Sequence, residues 1–321
     1  MSSYATGSRP IQRRSLSYHL KSVWLFTFSD LKTIVVPKTI FGILNAIAAP
    51  VYDIPIDEPI TPHRILLGTL WIWINLLPFV IDNQRRPESV LEDRQNKPWR
   101  TMPSGRMTQK EARRLMLVLY PIAFLASIWL GGLRSSVALI ALGFWYNDCN
   151  GASGVFSKNF INACGFISFA SGAMEVMLGR ALPFSPRLVI WFIVIGLVVF
   201  TTVQTQDLPD QAGDALAGRK TIPLVVGDTN TRQLTLVSIV AWSIYCPYYW
   251  SASYGLCIVV AGLGMVTGFR CLLLRKVGDD ATTFKLWNLW MALLYATPLV
   301  VHLQRSGKSA LTMRAWQNGS L

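Results

Sequence analysis

The chain has 321 residues, of which 52% are hydrophobic, 12% aromatic and only 15% charged, with a formal net charge of +13. Its mean hydropathy of +0.38 excludes an ordinary soluble domain of this size and points to several membrane spans. The positive charge does not mark a nucleic-acid-binding protein, because the basic residues lie between apolar segments rather than on one soluble face.

Residues 1–22 are polar and basic, with Arg9, Arg13, Arg14 and Lys21. Asp30 and Lys32 interrupt the next apolar stretch, so there is no signal-peptide core and this segment reads as a cytosolic tail. Residues 23–304 read as one membrane domain, and 305–321 as a polar C-terminal tail. The apolar runs are helix-length rather than ten-residue alternations, and lipid admits only helices or closed barrels. The prediction is therefore an all-α integral membrane protein with nine transmembrane helices. The spans fall at about 33–51, 63–82, 112–131, 133–148, 160–179, 186–207, 232–251, 254–274 and 284–303. The 83–114 segment carries nine Lys or Arg and the 52–62 loop none. The positive-inside bias then places the N-terminus and the even-numbered span ends in the cytosol.

The five Cys show no CxxC pair and read as small apolar residues. The three His are scattered, which gives no support to a His-based metal site or triad. The acids are informative. Of 17 Asp and Glu, four lie in 82–93 (Asp82, Glu88, Glu92, Asp93) and three in 207–214 (Asp207, Asp210, Asp214). Each cluster follows a span with a cytosolic end. Acids contribute little to orientation, and crowded carboxylates repel unless cations offset them. Asp207, Asp210 and Asp214, at i, i+3 and i+7, would share one face of a helix. In the first cluster Asn83, Glu88 and Glu92 or Asp93 supply a second oxygen set, with Pro87 interrupting any regular helix there. Hard divalent cations such as Mg²⁺ take such oxygens and commonly share them with a substrate phosphate. Lys97, Arg100 and Arg106 follow the first cluster, and Arg219 and Lys220 the second. Acids with cations beside them suit a metal-bridged polyanion, most simply a diphosphate. One such cluster reads as a solvated loop with internal salt bridges; two with matching layouts do not.

The strings NKPWRTMPSGR after the first cluster and AGRKTIP after the second, with DLPDQAGD filling a DxxDxxxD pattern, make the chain resemble the UbiA superfamily of intramembrane prenyltransferases. The resemblance covers about residues 30–303. It implies nine helices around a central cavity, capped on the cytosolic side by two acidic loops. It also implies magnesium ions bridging the acids to an isoprenyl diphosphate whose tail enters the cavity. Carried over by position, Asn83, Glu88, Glu92 and Asp93 match the first metal motif, and Asp207, Asp210 and Asp214 the second. Lys97, Arg100, Arg219 and Lys220 match the diphosphate-binding cations, and Tyr146, Lys158 and Asn162 a further polar element. The first motif departs from the family's NDxxDxxxD, because eight residues before Asp93 stands Arg85. The NQ…PES…ED…NKPWR form resembles fungal UbiA-type terpene cyclases, both sesquiterpene and cyathane-type diterpene.

The function expected is therefore Mg²⁺-dependent ionisation of farnesyl or geranylgeranyl diphosphate, with cyclisation to a terpene hydrocarbon in secondary metabolism. The partners are that substrate and the lipid bilayer, most simply the endoplasmic reticulum with the site facing the cytosol. Trp71, Trp73, Phe144, Trp145, Tyr146, Phe166 and Phe169 are candidates to line an aromatic pocket. The alternative is transfer of the prenyl group to an aromatic or quinone-type acceptor. An ion transporter is remote, because no charged path continues across the membrane. Glu175, inside a predicted span, costs about 2.5–3.5 kcal/mol at the bilayer centre. It reads as a base for the final cation, as a helix–helix hydrogen bond, or as a residue near the far interface.

Overall fold

The computed structural model describes residues 14–317. The residues 1–13 of the N-terminal tail and 318–321 of the C-terminal tail lie outside that range. Among the described residues there are helices and turns and no strand. The helices are α1 (Leu16–Thr27), α2 (Val36–Ile47), α3 (Pro62–Gln84), α4 (Pro87–Asn96), α5 (Gln109–Leu130), α6 (Leu133–Asn147) and α7 (Val155–Leu178). They continue as α8 (Pro186–Thr202), α9 (Gln211–Leu216), α10 (Ile222–Val226), α11 (Asp228–Tyr249), α12 (Tyr254–Leu273) and α13 (Val277–Gln317).

A helix lies at each of the nine predicted span positions. Six of them, those at α3, α5, α7, α8, α12 and α13, are long and apolar enough to cross a membrane. The other three differ for local reasons. The α2 helix has 12 residues but continues a π-helical turn, Leu31–Val35. The α6 helix has 15 residues. The α11 helix is long enough but opens with Asp228, Asn230, Arg232 and Gln233, which lowers its mean hydropathy. Two expected tail boundaries fall inside helices: α1 crosses residue 22, and α13 runs past 304.

The α7 helix is the axis of the bundle, packing against α2, α3, α6 and α8. Small residues let its neighbours in. A methyl group at Gly172 would lie 2.0 Å from Cη2 of the fully buried Trp71 on α3, and close approach through small residues is the usual basis of packing between helices in lipid. By contrast α5 is largely exposed, as a lipid-facing helix should be. One buried ion network fixes the α11–α13 corner. The Arg232 guanidinium donates twice to Asp280 at 2.7 and 2.8 Å, to both oxygens of Asp228, and to the Cys271 carbonyl at 2.7 Å. Saturated in this way, a buried charge is tolerated. The five thiols are free, with Cys149 exposed and Cys246 and Cys271 buried.

Candidate functional site: an ion-paired mouth over an aromatic cavity

Both acidic segments lie at one end of the bundle, because each follows a long helix ending there: α4 comes two residues after α3, and α9 follows α8 through a 3-10 turn, Val203–Gln206. Pro87 does not interrupt a helix but starts one, at the first position of α4, where its missing N–H would have had no partner. From there 3.6 residues per turn put Ser89, Glu92 and Asp93 on one face, and all three are buried. Glu88 lies off that face and is exposed, so α4 does not bring it to the others. The second segment is not one helix, as its spacing suggested. Asp207 and Asp210 sit in turns and only Asp214 is on α9. The turns nonetheless direct all three into one cavity of about 750 Å³, lined also by Asn83, Glu92, Lys97, Arg100, Lys158 and Arg219. The α4 and α9 helices meet there. Asn96 donates to the Asp210 carbonyl at 3.1 Å, and a methyl group at Gly213 would lie 2.2 Å from Asn96 Nδ2.

The acids are held by cations in a crossed pattern. Lys97, from the first segment, reaches Asp210 in the second at 2.6 Å. Arg219, from the second, reaches Glu92 in the first at 2.7 Å and Asp214 at 3.7 Å. Arg100 holds both oxygens of Asp93 at 2.9 and 3.0 Å and donates to Ser29 Oγ at 2.6 Å. Lys158, on α7, holds Asp207 at 2.8 Å with both side chains buried. One oxygen each of Asp207 and Asp214 is buried without a hydrogen-bond partner. Burial pushes the Asp214 carboxyl up to about 7, against the pull of Lys158, and burial also raises that of Glu92 despite Arg219. Lys220 is exposed and stays outside this network.

Among the described residues no three of His, Cys, Asp and Glu come together as a self-sufficient metal site. Pairs of hard oxygens with unused lone pairs fit a magnesium ion that takes its remaining ligands from phosphate and water. The donor set therefore suits the ion expected from the sequence, on condition that a polyanion completes it.

A narrower chamber of about 170 Å³ continues inward, lined in part by Phe79, Tyr146, Phe166, Phe169, Asn162 and Asn83. Phe79 and Tyr146 meet edge to face at 5.6 Å. Asn83 donates to Asn147 at 3.1 Å, and Asn162 Nδ2 is buried without a partner. Four of the seven predicted aromatics do not line it. Trp71 donates to Ser127 and Trp73 to Thr27, while Phe144 and Trp145 are exposed on the outside. Phe79 had escaped the sequence reading, as had Asp30 and Gln206, which line both chambers. Asp30 is a lone acid whose only sequence signal is that it interrupts an apolar run. Glu175 lies away from the site, at the opposite end of α7. It accepts from the Gly132 and Leu182 backbone N–H groups at 2.7 and 3.3 Å, which ties the α5–α6 and α7–α8 connections together.

Over 310 residues the chain is 27% identical to the somaliensene A/B synthase of Streptomyces somaliensis, covering 93% of this chain and 99% of that one. It is 28% identical over 274 residues to the fumagillin beta-trans-bergamotene synthase of Aspergillus fumigatus, covering 85% and 89%. The fold matches that of a UbiA homolog from Archaeoglobus fulgidus, solved bound to DMAPP and Mg²⁺. The TM-score is 0.57 at 14% identity, over 84% of this chain and 98% of that one. The sequence model of the UbiA prenyltransferase family matches residues 87–290, nearly two thirds of the chain, including Glu88, Glu92 and Asp93 of the first acidic segment and all of the second. The chain belongs to the UbiA prenyltransferase family.

Proposed function

We propose that the protein is a Mg²⁺-dependent UbiA-type terpene cyclase that ionises an isoprenyl diphosphate, farnesyl or geranylgeranyl, and closes the resulting cation into a terpene hydrocarbon. The observation that carries the reading is the crossed set of acids and cations above an aromatic chamber, together with two terpene synthases among the relatives. The Archaeoglobus fulgidus homolog, solved with Mg²⁺ and DMAPP, supports the choice of metal and of diphosphate. Nine membrane spans, a location in the endoplasmic reticulum and a mouth facing the cytosol complete the proposal.

Asp207, Asp210, Asp214, Glu92 and Asp93, with Asn83 beside them, would hold magnesium. When bound, the metal neutralises the diphosphate and draws electron density from the allylic C–O bond. Lys97, Arg100, Lys158 and Arg219 are already at the mouth, each on an acid, and turn their N–H groups to phosphate oxygens. The C–O bond breaks with both electrons leaving on the diphosphate. Phe79, Tyr146, Phe166 and Phe169 exclude water from the cation and present π density to it. A double bond of the same chain attacks, and loss of a proton to the released diphosphate yields the hydrocarbon. Glu88 and Lys220, exposed and unattached, have no part in this scheme.

The test is incubation of the purified protein with Mg²⁺ and farnesyl or geranylgeranyl diphosphate, no acceptor added, followed by gas chromatography. A cyclic hydrocarbon is expected. Turnover only after addition of an aromatic acceptor would overturn cyclisation in favour of prenyl transfer.

A further inference from the structure

The first described helix, α1, is amphipathic in an unusual sense: its apolar stripe faces away from the protein. Its inner face is docked. Ser22 and Phe26 are fully buried, Thr101 donates to the Ser22 carbonyl at 2.5 Å, and the Arg106 guanidinium lies 4.0 Å over the Tyr18 ring. The outer face carries Leu16, Leu20, Trp24 and Phe28, 74, 62, 46 and 48% exposed, at every fourth position. Phe28 is stacked edge to face on Trp99, itself 39% exposed, at 5.3 Å, which extends the stripe beyond the helix end. At 12 residues α1 is about 18 Å long, too short to cross a hydrocarbon core of about 30 Å.

In sequence, the segment that carries the stripe is basic up to Asp30. Residues 1–29 hold four Arg or Lys and no acid; Lys21 is exposed beside the stripe, and Arg14, also exposed, donates to the Arg106 carbonyl at 2.6 Å. We propose that α1 lies flat in the lipid interface on the mouth side of the membrane, with its apolar stripe among acyl chains and its basic flank on anionic phospholipid headgroups. Apolar residues on one side with Lys and Arg alongside are the signature of an in-plane helix, and a juxtamembrane basic segment adds attraction to acidic lipids.

The placement matters because α1 runs directly into the rim of the cavity. Phe28, Ser29 and Asp30 line the mouth, and Ser29 holds Arg100. An anchored α1 sets that rim at headgroup depth, where, on the function proposed above, a diphosphate carried by a dissolved isoprenyl tail would arrive.

The experiment uses the full chain in vesicles of phosphatidylcholine with or without phosphatidylserine. A nitroxide is placed at Leu20→Cys or at Lys21→Cys, and the signal of the labelled parent protein, from its native thiols, is subtracted. Collision with oxygen is compared with collision with a water-soluble nickel chelate. At Leu20 oxygen dominates, more so with phosphatidylserine at low salt; at Lys21 the chelate dominates. Chelate access at Leu20 in every vesicle would overturn the proposal. Exclusion of both reagents, with a dimer on sizing, would also overturn it and give the stripe to a second copy of the chain. In the unlabelled protein, Trp24→Phe removes one indole from those quenched by lipids brominated near the headgroup; no change in quenching would refute the placement. None of these readouts requires turnover, so the proposal stands or falls apart from the cyclase reading.

Discussion

At the residue scale, the acids of the mouth divide by what they touch. Glu92 and Asp93 are buried and ion-paired, whereas Glu88 is exposed. Glu92→Ala is expected to reduce diphosphate release about 100-fold, as removal of one preorganised charge group does. Glu88→Ala should stay within about twofold, as exposed charges usually do; a phosphate-release assay on both variants separates them. Asp214 adds a pH dependence. Burial pushes its carboxyl up to about 7 in the folded chain against 3.8 for the free group, so on the proposed function a proton would compete with the metal for it. Apparent Mg²⁺ affinity should rise about tenfold between about pH 6 and about pH 8, read by metal titration. Without metal the folded state holds that proton more tightly than the unfolded state. Stability is then highest below the free-group value and declines as pH rises through the folded one. Asp214→Asn should flatten both curves. The sequence made these acids visible as two clusters but not their division. Spacing alone admits Glu88 on the metal face, and only the start of α4 at Pro87 turns Ser89, Glu92 and Asp93 inward.

At the element scale, two buried contacts hold helix ends without lining the chamber, Glu175 at the end away from the mouth and Arg232 behind it, where Gln211 donates to its partner Asp228 at 3.0 Å; their loss should lower stability without changing the product. Arg232→Met strands the Asp280 carboxylate between α11 and α13, at a cost of about 3–5 kcal/mol. Glu175→Ala frees two buried backbone N–H groups at the opposite membrane face, at about 1–3 kcal/mol each. Thermal unfolding in detergent, with product analysis on the surviving protein, checks both. A new terpene from Glu175→Ala would restore this carboxylate as the base for the final cation. The helices themselves were legible because apolar runs of span length have few other solutions. Their connections were not. The turns at 207–210 and the π-helical start at 31–35 depend on which backbone groups find partners once the bundle has closed, and the lining of the chamber by Phe79 rather than by the fully buried Trp71 depends on packing across helices.

At the scale of the whole molecule, the mouth, the acid clusters and the basic loops occupy one end of the bundle, and the sidedness can be tested without activity. Cys149, exposed just beyond α6 at the mouth end, should react with a membrane-impermeant maleimide in sealed microsomes whose cytosolic face is outward. Protection until detergent is added would reverse the orientation. The crossed ion pairs have a consequence for the end of the catalytic cycle. Lys97 and Arg219 each join one acidic segment to the other, so every cation of the clamp has a resting partner waiting a few ångströms away. On the proposed function, departure of the diphosphate would then expose no bare cation, since the carboxylates would take its place. The same pairs that would weaken the first encounter would therefore quicken unloading, and a mouth so built serves letting go as much as holding.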